Sequence, residues 1–169
     1  MKLRLALPGE YDAIGRVTAE TYRDLLGAAA MGDYEEELHA VAERAADCVV
    51  LVAVDDQEEL LGAVTYVPGP DTSMSEFADA DAAGIRMLVV RPASQGAGIG
   101  RALTEACIAR ARREGRRKIV LHSTGPMTVA RAMYQSLGFV ADTDRDVVFT
   151  EPPYSVDEPL RLIAYVLTL

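Results

Sequence analysis

The stretch RPASQGAGIGRAL, Arg91 to Leu103, sets Gly96, Gly98 and Gly100 between an apolar run, IRMLVV (Ile85–Val90), and a segment of helical periodicity. An order of strand, bare turn and helix has an electrical consequence. The first turn of a helix carries main-chain N–H groups without intrahelical partners, and the helix dipole adds positive partial charge there. Glycines let an anion reach those groups directly. Three of them exceed what a tight turn requires, so the pattern predicts a phosphate cradle.

Two familiar cradles fail on spacing. A dinucleotide fingerprint begun at Gly96 would need glycine where Arg101 stands, and a P-loop would need Lys and Ser or Thr where Gly100 is followed by Arg101 and Ala102. What remains is Gln-x-x-Gly-x-Gly, carried by Gln95, Gly98 and Gly100.

Outward from this loop, strands and helices alternate. Lys2–Leu7 reads as a strand, and Glu10–Leu26 as a helix with Ile14, Val17, Tyr22, Leu25 and Leu26 at helical spacing. A second helix is expected over Tyr34–Ala46, its acidic opening matched to the helix dipole. Cys48–Val54 and Leu60–Val67 form a predicted antiparallel hairpin around DDQEE. Pro68–Gly84 has no sustained period and reads as a long loop. Ile85–Val90 is a strand that Arg91 and Pro92 end. The helix from about Gly98 to Glu114 aligns Ile99, Ala102, Leu103, Ala106, Cys107 and Arg110 on one stripe, with Gly115 as its stop. A strand (Lys118–His122), a helix (Thr128–Leu137), a strand from Phe139 out through Phe149 and a final strand (Leu162–Leu169) follow.

The composition bounds the partners. Half of the 169 residues are apolar and a quarter charged, which suits one domain over residues 1–169 with a full core. A net charge of −9 argues against nucleic acid, whose phosphates need clustered Lys and Arg. The N-terminal apolar stretch is too short for a signal peptide, and the apolar runs fall below a membrane span, so a cytoplasmic location without membrane attachment is expected. Cys48 and Cys107 lack metal-ligand spacing; two buried thiols and no bound metal are expected.

With IRMLVV, QGAGIGRAL and ARAMYQSLGF (Ala130–Phe139) in this order, the sequence resembles the GNAT superfamily of N-acetyltransferases over roughly Ile85–Val140. The resemblance implies an α/β fold with a central, mixed but mostly antiparallel sheet of about seven strands flanked by helices. It implies acetyl-coenzyme A as cosubstrate. Main-chain groups of Leu88, Val89 and Val90 would meet the pantetheine arm. Gln95, Gly96, Ala97, Gly98, Ile99, Gly100 and Arg101 would hold the pyrophosphate. The family's sheet also splays between its fourth and fifth strands, with an oxyanion-stabilising N–H near Leu88–Val90.

Tyr134 lies with Ala130, Met133 and Leu137 at i, i+3, i+4 and i+7, the spacing of a buried helix face. From the residues alone it is a packing group; the resemblance makes it the general acid. An amine attacks the acetyl carbonyl, a tetrahedral oxyanion forms and the coenzyme departs as a thiolate that needs a proton. A phenol of pKa about 10 serving a thiol of about 8.5 costs roughly 2 kcal/mol at most.

Two positions depart from the family pattern. Gly84, eleven residues before Gln95, stands where many members carry a glutamate base, and Met127, seven before Tyr134, stands where many carry a coenzyme-binding Asn. A base would have to come from Glu76, Asp79, Asp81, His122 or a relay of waters. The acceptor, a small-molecule or peptide amine, would enter near Tyr11–Ala46, Gly69–Ala83 and the segment before the last strand. Glu35, Glu36, Glu37, Glu76, Asp79, Asp81 and Glu151 could attract it if it is cationic, and charge reversal at Glu76 or Glu151 would then raise its KM. The alternatives are an inactive acyl-coenzyme A sensor of the same fold and a longer acyl group, for which Ala83 and Gly84 could leave room. A homodimer is compatible with exposed strand edges.

Overall fold

The computed structural model describes residues 1–27, 31, 32, 34–151, 154, 157 and 159–169. Its strands are β1 (Lys2–Leu5), β2 (Val49–Val54), β3 (Leu60–Val67), β4 (Ala82–Val90), β5 (Lys118–Thr124), β6 (Val140–Ala141), β7 (Val147–Phe149) and β8 (Leu160–Thr168). Its helices are α1 (Tyr11–Leu26), α2 (Tyr34–His39), α3 (Val41–Arg44), α4 (Ile99–Arg113) and α5 (Thr128–Ser136). The strands form one sheet in the order β1-β2-β3-β4-β5-β8-β6, with β7 also on β8. The β4–β5 pair is parallel and the others are antiparallel.

Alternation along the strands sends side chains into two layers. On one face Leu103, Cys107 and Ala111 of α4, with Tyr134 of α5, pack on Val64, Ile119 and Tyr165. On the other, Ile14 of α1 and Val41 of α3 cover Val50, Val52 and Val89, and Ala19 and Leu38 cover Val67 and Met87. Each large apolar side chain buried this way contributes roughly 1.5–3 kcal/mol. Cys48 and Cys107 are buried free thiols, pushed by burial up to about 11 and about 12.

Three boundaries differ from the sequence expectation. The helix over Tyr34–Ala46 is two short helices, broken at Ala40 (ψ 51°), and the buried Arg44 guanidinium donates to the Glu37 and Leu38 carbonyls at the end of α2. β4 begins at Ala82, because Ala82–Ile85 pair with Lys118–Leu121; small residues there gave no apolar signal. The strand from Phe139 through Phe149 is divided by a 3-10 turn at Thr143–Arg145, where the Asp142–Asp144 cluster favours a turn, and this raises the strand number to eight.

Two irregularities of β4 position the site. Against β3, Ala63 pairs with Val89 and Thr65 with Arg86, so Val64 alone faces Met87 and Leu88; this bulge puts Met87 at φ 51°. Ile85, Leu88 and Val90 consequently face α4, whereas Met87 and Val89 face α1. In addition, the β4–β5 pairing ends at Ile85–Leu121. Beyond it β4 stays with β3 and β5 with β8, and the sheet opens between them.

Candidate active site

At the C-terminal end of β4, Pro92–Ser94 make a 3-10 turn and the chain reaches α4 through Gly96 and Gly98, both near φ +79°. Gly98 is the N-cap in a left-handed conformation that side chains resist. The first main-chain bond of α4 runs from Ala102 N–H to Gly98 C=O, so the N–H groups of Ile99, Gly100 and Arg101 precede the helical ladder. Ile99 anchors this turn in the core, while Gln95, Gly96, Ala97 and Gly98 are exposed. The Gln95 side chain donates to the Val90 carbonyl at 3.3 Å and ties the loop to the strand end.

The same loop is fixed to α5. Gly100 lies beside Met133 Sδ, and Arg101 donates to Ser136 Oγ. One residue beyond Met133, the Tyr134 ring packs 5.7 Å from Phe139 and 6.4 Å from Tyr165. Burial, with a smaller contribution from Cys107, raises its phenol pKa far above 10. Tyr134 faces the α4 side of the sheet. Its influence nevertheless reaches across: burial raises Tyr22, on the α1 side, and the neighbouring Tyr34 and Tyr134 add to the effect.

On that α1 side a cavity of about 450 Å³ opens beside the gap between β4 and β5. Its walls come from α1 (Tyr22, Leu26), α2 (Tyr34, Glu37), β4 (Ile85–Met87), β5 (His122–Thr124), β7 (Phe149) and β8 (Leu160, Leu162). Met127, at the start of α5, also lines it, and its sulfur accepts from Ser123 Oγ at 3.5 Å.

A charged network forms one wall. Glu76 binds Arg86 through one oxygen and His122 Nδ1 through the other, each at 2.8 Å, and Arg86 also reaches Glu37 at 3.5 Å. His122 Nε2 lies 3.0 Å from the Arg145 carbonyl. A carbonyl can only accept, so Nε2 carries a proton, and the Glu76 carboxylate beside Nδ1 favours a second one there. Burial lowers the His122 pKa, but the bonds to Glu76 and Arg145 outweigh it and the net shift is upward. For Glu76, burial acts upward and is overcome by the His122 hydrogen bond and the Arg86 charge, leaving its pKa low.

Of the seven carboxylates expected near an acceptor, Glu37 and Glu76 line the cavity. The others are elsewhere: Glu35 pairs with Arg23, Asp79 with Lys118 and Arg145, Asp81 with Lys118, and Glu36 and Glu151 are exposed. At Gly84, a Cβ would meet the Phe77 ring at 2.8 Å and Val67 Cβ at 3.1 Å. The room that could have served a base, or a longer acyl chain, is therefore filled by Phe77.

Sequence reading placed the acceptor near Tyr11–Ala46 and the segment before the last strand, which contain Tyr22, Tyr34 and Phe149, but singled out none of them as wall residues, and Arg86 lay outside those segments. Only Arg86 carried a signal, being a lone charge inside IRMLVV. Among the described residues, no group of three or more His, Cys, Asp or Glu side chains gathers where a metal ion could be held. No helix among them is long and apolar enough to cross a membrane.

This α/β domain has a sheet that opens between β4 and β5 beside a glycine-bounded helix N-terminus. Its ancestry is specific: the Acetyltransferase (GNAT) family model matches residues 13–139, and the chain belongs to that family. A curated relative, the mycothiol acetyltransferase of Cellulomonas flavigena, is 37% identical over 95 residues, 56% of this chain and 27% of the relative. The chain thus spans about a quarter of that protein's length. Among solved structures, the ribosomal-protein-alanine N-acetyltransferase of Brucella melitensis superposes with a TM-score of 0.74 at 20% identity, covering 100% of both chains. The yncA protein of Salmonella typhimurium, solved with its cofactor acetyl-CoA, gives 0.71 at 24% identity, covering 100% of this chain and 94% of its own. These likenesses establish the fold.

Proposed function

We propose that this protein binds acetyl-coenzyme A along the opened edge of β4 and transfers the acetyl group to a primary amine by direct attack. The observation that carries the reading is the conjunction at one mouth of the sheet: a glycine loop with unladdered N–H groups, a gap between β4 and β5, and Tyr134 on the helix tied to that loop. Residues Gln95–Arg101 would receive the pyrophosphate on main-chain N–H groups. Leu88–Val90 would offer main-chain partners to the pantetheine arm and an N–H to the developing oxyanion.

Tyr134 would return a proton to the departing sulfur. Burial raises its pKa, so the proton is held more tightly than on a free phenol, and its donation would depend on the negative charge developing on the sulfur beside it. His122, its pKa raised and its ring held between Glu76 and the Arg145 carbonyl, would orient Glu76. Glu76, held by Arg86 and His122 with a low pKa, would fix the charge of the wall that faces the amine, whose proton would leave through water.

The test is thiol release from acetyl-coenzyme A with a panel of amines, on wild type and Tyr134→Phe. Amine-dependent release that falls about 10²-fold in kcat in the variant, with coenzyme affinity retained, is the expected result. Tight binding without amine-stimulated release would overturn the transfer reading in favour of an acyl-coenzyme A sensor.

A further inference from the structure

The acceptor's chemistry can be read from what the cavity walls leave unpaired. The two lining carboxylates are already engaged, Glu76 by Arg86 and His122 and Glu37 by Arg86. With His122 protonated, two negative groups face two positive ones. A second cationic group on a substrate would shed its water and meet no free carboxylate among the described lining residues, a costly exchange.

Apart from Ser123 and Thr124, whose buried Oγ1 has no hydrogen-bond partner among the described residues, the remaining wall is aromatic and aliphatic. Tyr22 and Tyr34 form an edge-to-face pair with centroids 6.1 Å apart, and Phe149 and Tyr154 form a tilted pair at 6.4 Å. Both pairs line the cavity, with Leu26 and Leu160 beside them. Phe149 is 44% exposed, leaving ring surface that a ligand can remove from water. A flat apolar body would cover it.

We infer that the acceptor is a primary monoamine with an apolar body of aromatic-ring size, and that polyamines and lysine-rich peptides are poor ligands. The inference rests on the acetyltransferase reading for the reaction but on the cavity alone for binding. Aromatic walls bury the body by area and ring stacking, while the single amine points toward Glu76 and the gap in the sheet.

The experiment is calorimetric titration of the protein, saturated with coenzyme A, with 2-phenylethylamine and with spermidine. The expected outcome is 2-phenylethylamine binding at least about tenfold more tightly, with Phe149→Ala and, independently, Leu26→Ala each weakening it about five- to tenfold. Two variants on different elements guard against a folding defect in either. Equal or tighter spermidine binding, absence of 2-phenylethylamine binding, or indifference of its affinity to both substitutions would overturn the inference. Tight 2-phenylethylamine binding without acetyl transfer would sustain this inference while removing the transferase reading.

Discussion

The glycine loop and the acceptor cavity are built on opposite plans. The loop takes its geometry from eleven consecutive residues, Arg91–Arg101, and presents mainly backbone; the cavity takes one to three residues from each of six elements, with Glu76 from the Pro68–Asp81 segment and Met127 from the start of α5. A site made of local backbone is specified by residue types at fixed spacing. A site assembled from distant side chains is specified by the packing that brings them together, so its sensitivity to mutation lies in contacts remote along the chain.

The sharpest way to break that contrast is Gly84→Glu, which introduces the carboxylate that the family resemblance leads one to expect there. Because Phe77 and Val67 occupy the space, the variant is expected to lose about 3 kcal/mol of stability, a Tm lower by roughly 6–12 °C in calorimetry. Partial recovery on adding Phe77→Ala would sharpen the attribution; an unchanged Tm in the single variant would refute it.

Gly98→Val is the counterpart in the loop. No atom lies within 4 Å of the added Cβ, so the penalty is the left-handed backbone alone. A β-branched residue there is expected to cost about 2 kcal/mol, expressed as a coenzyme Kd about 30-fold higher with 2-phenylethylamine affinity unchanged. Equal damage to both ligands would erase the distinction between the two regions.

Glu76→Gln probes the charged wall. In wild type the folded state holds the His122 proton more tightly than the unfolded chain does. That contribution is fully present below about 6.5 and is lost as pH rises through the folded value. The lowered pKa of Glu76 acts in the opposite sense, present above about 4.5 and lost as pH falls. Their joint contribution is therefore greatest between those two values. In Glu76→Gln burial, the largest influence on His122, is no longer outweighed, and the His122 pKa followed by NMR should drop below 6.5. A value that stays raised would show that the Arg145 carbonyl alone controls the imidazole.

Arg101→Ala is the mildest change. The side chain is exposed and holds Ser136 and Glu105, contacts of a kind worth under about 1 kcal/mol. Coenzyme affinity should fall no more than about fivefold and Tm should hold; a larger loss would make the guanidinium, rather than the backbone, the main anion partner.

The succession of strands and helices along the chain and the glycine loop were legible because apolar period and glycine spacing are properties of neighbouring residues. Ile85–Val90 reads directly as a strand, but its bulge at Met87 does not, since nothing in a methionine announces a positive φ. The sequence supplied candidate carboxylates without saying which face the cavity. Asp79 and Glu76 look alike in SEFADAD, yet one is held by Lys118 and Arg145 and the other faces the cavity. Likewise Gly84 reads as a missing base, and only the arrival of Phe77 from the preceding loop explains why no side chain fits there.

The early end of the β4–β5 pairing has a consequence for how the molecule ages and associates. Past Ile85 and Leu121 each strand has a side that its neighbour no longer matches, and unmatched edges ordinarily recruit other polypeptides. Here the slot lies inside the sheet, with α4 and α5 on one face and α1, α2 and α3 on the other. A single slender chain bearing amides fits such a slot better than a second sheet does, so a bound ligand of that shape would act as a removable strand. Its departure would show as faster amide exchange at Leu88–Val90 and lower resistance to proteolysis, a built-in record of whether the slot is filled.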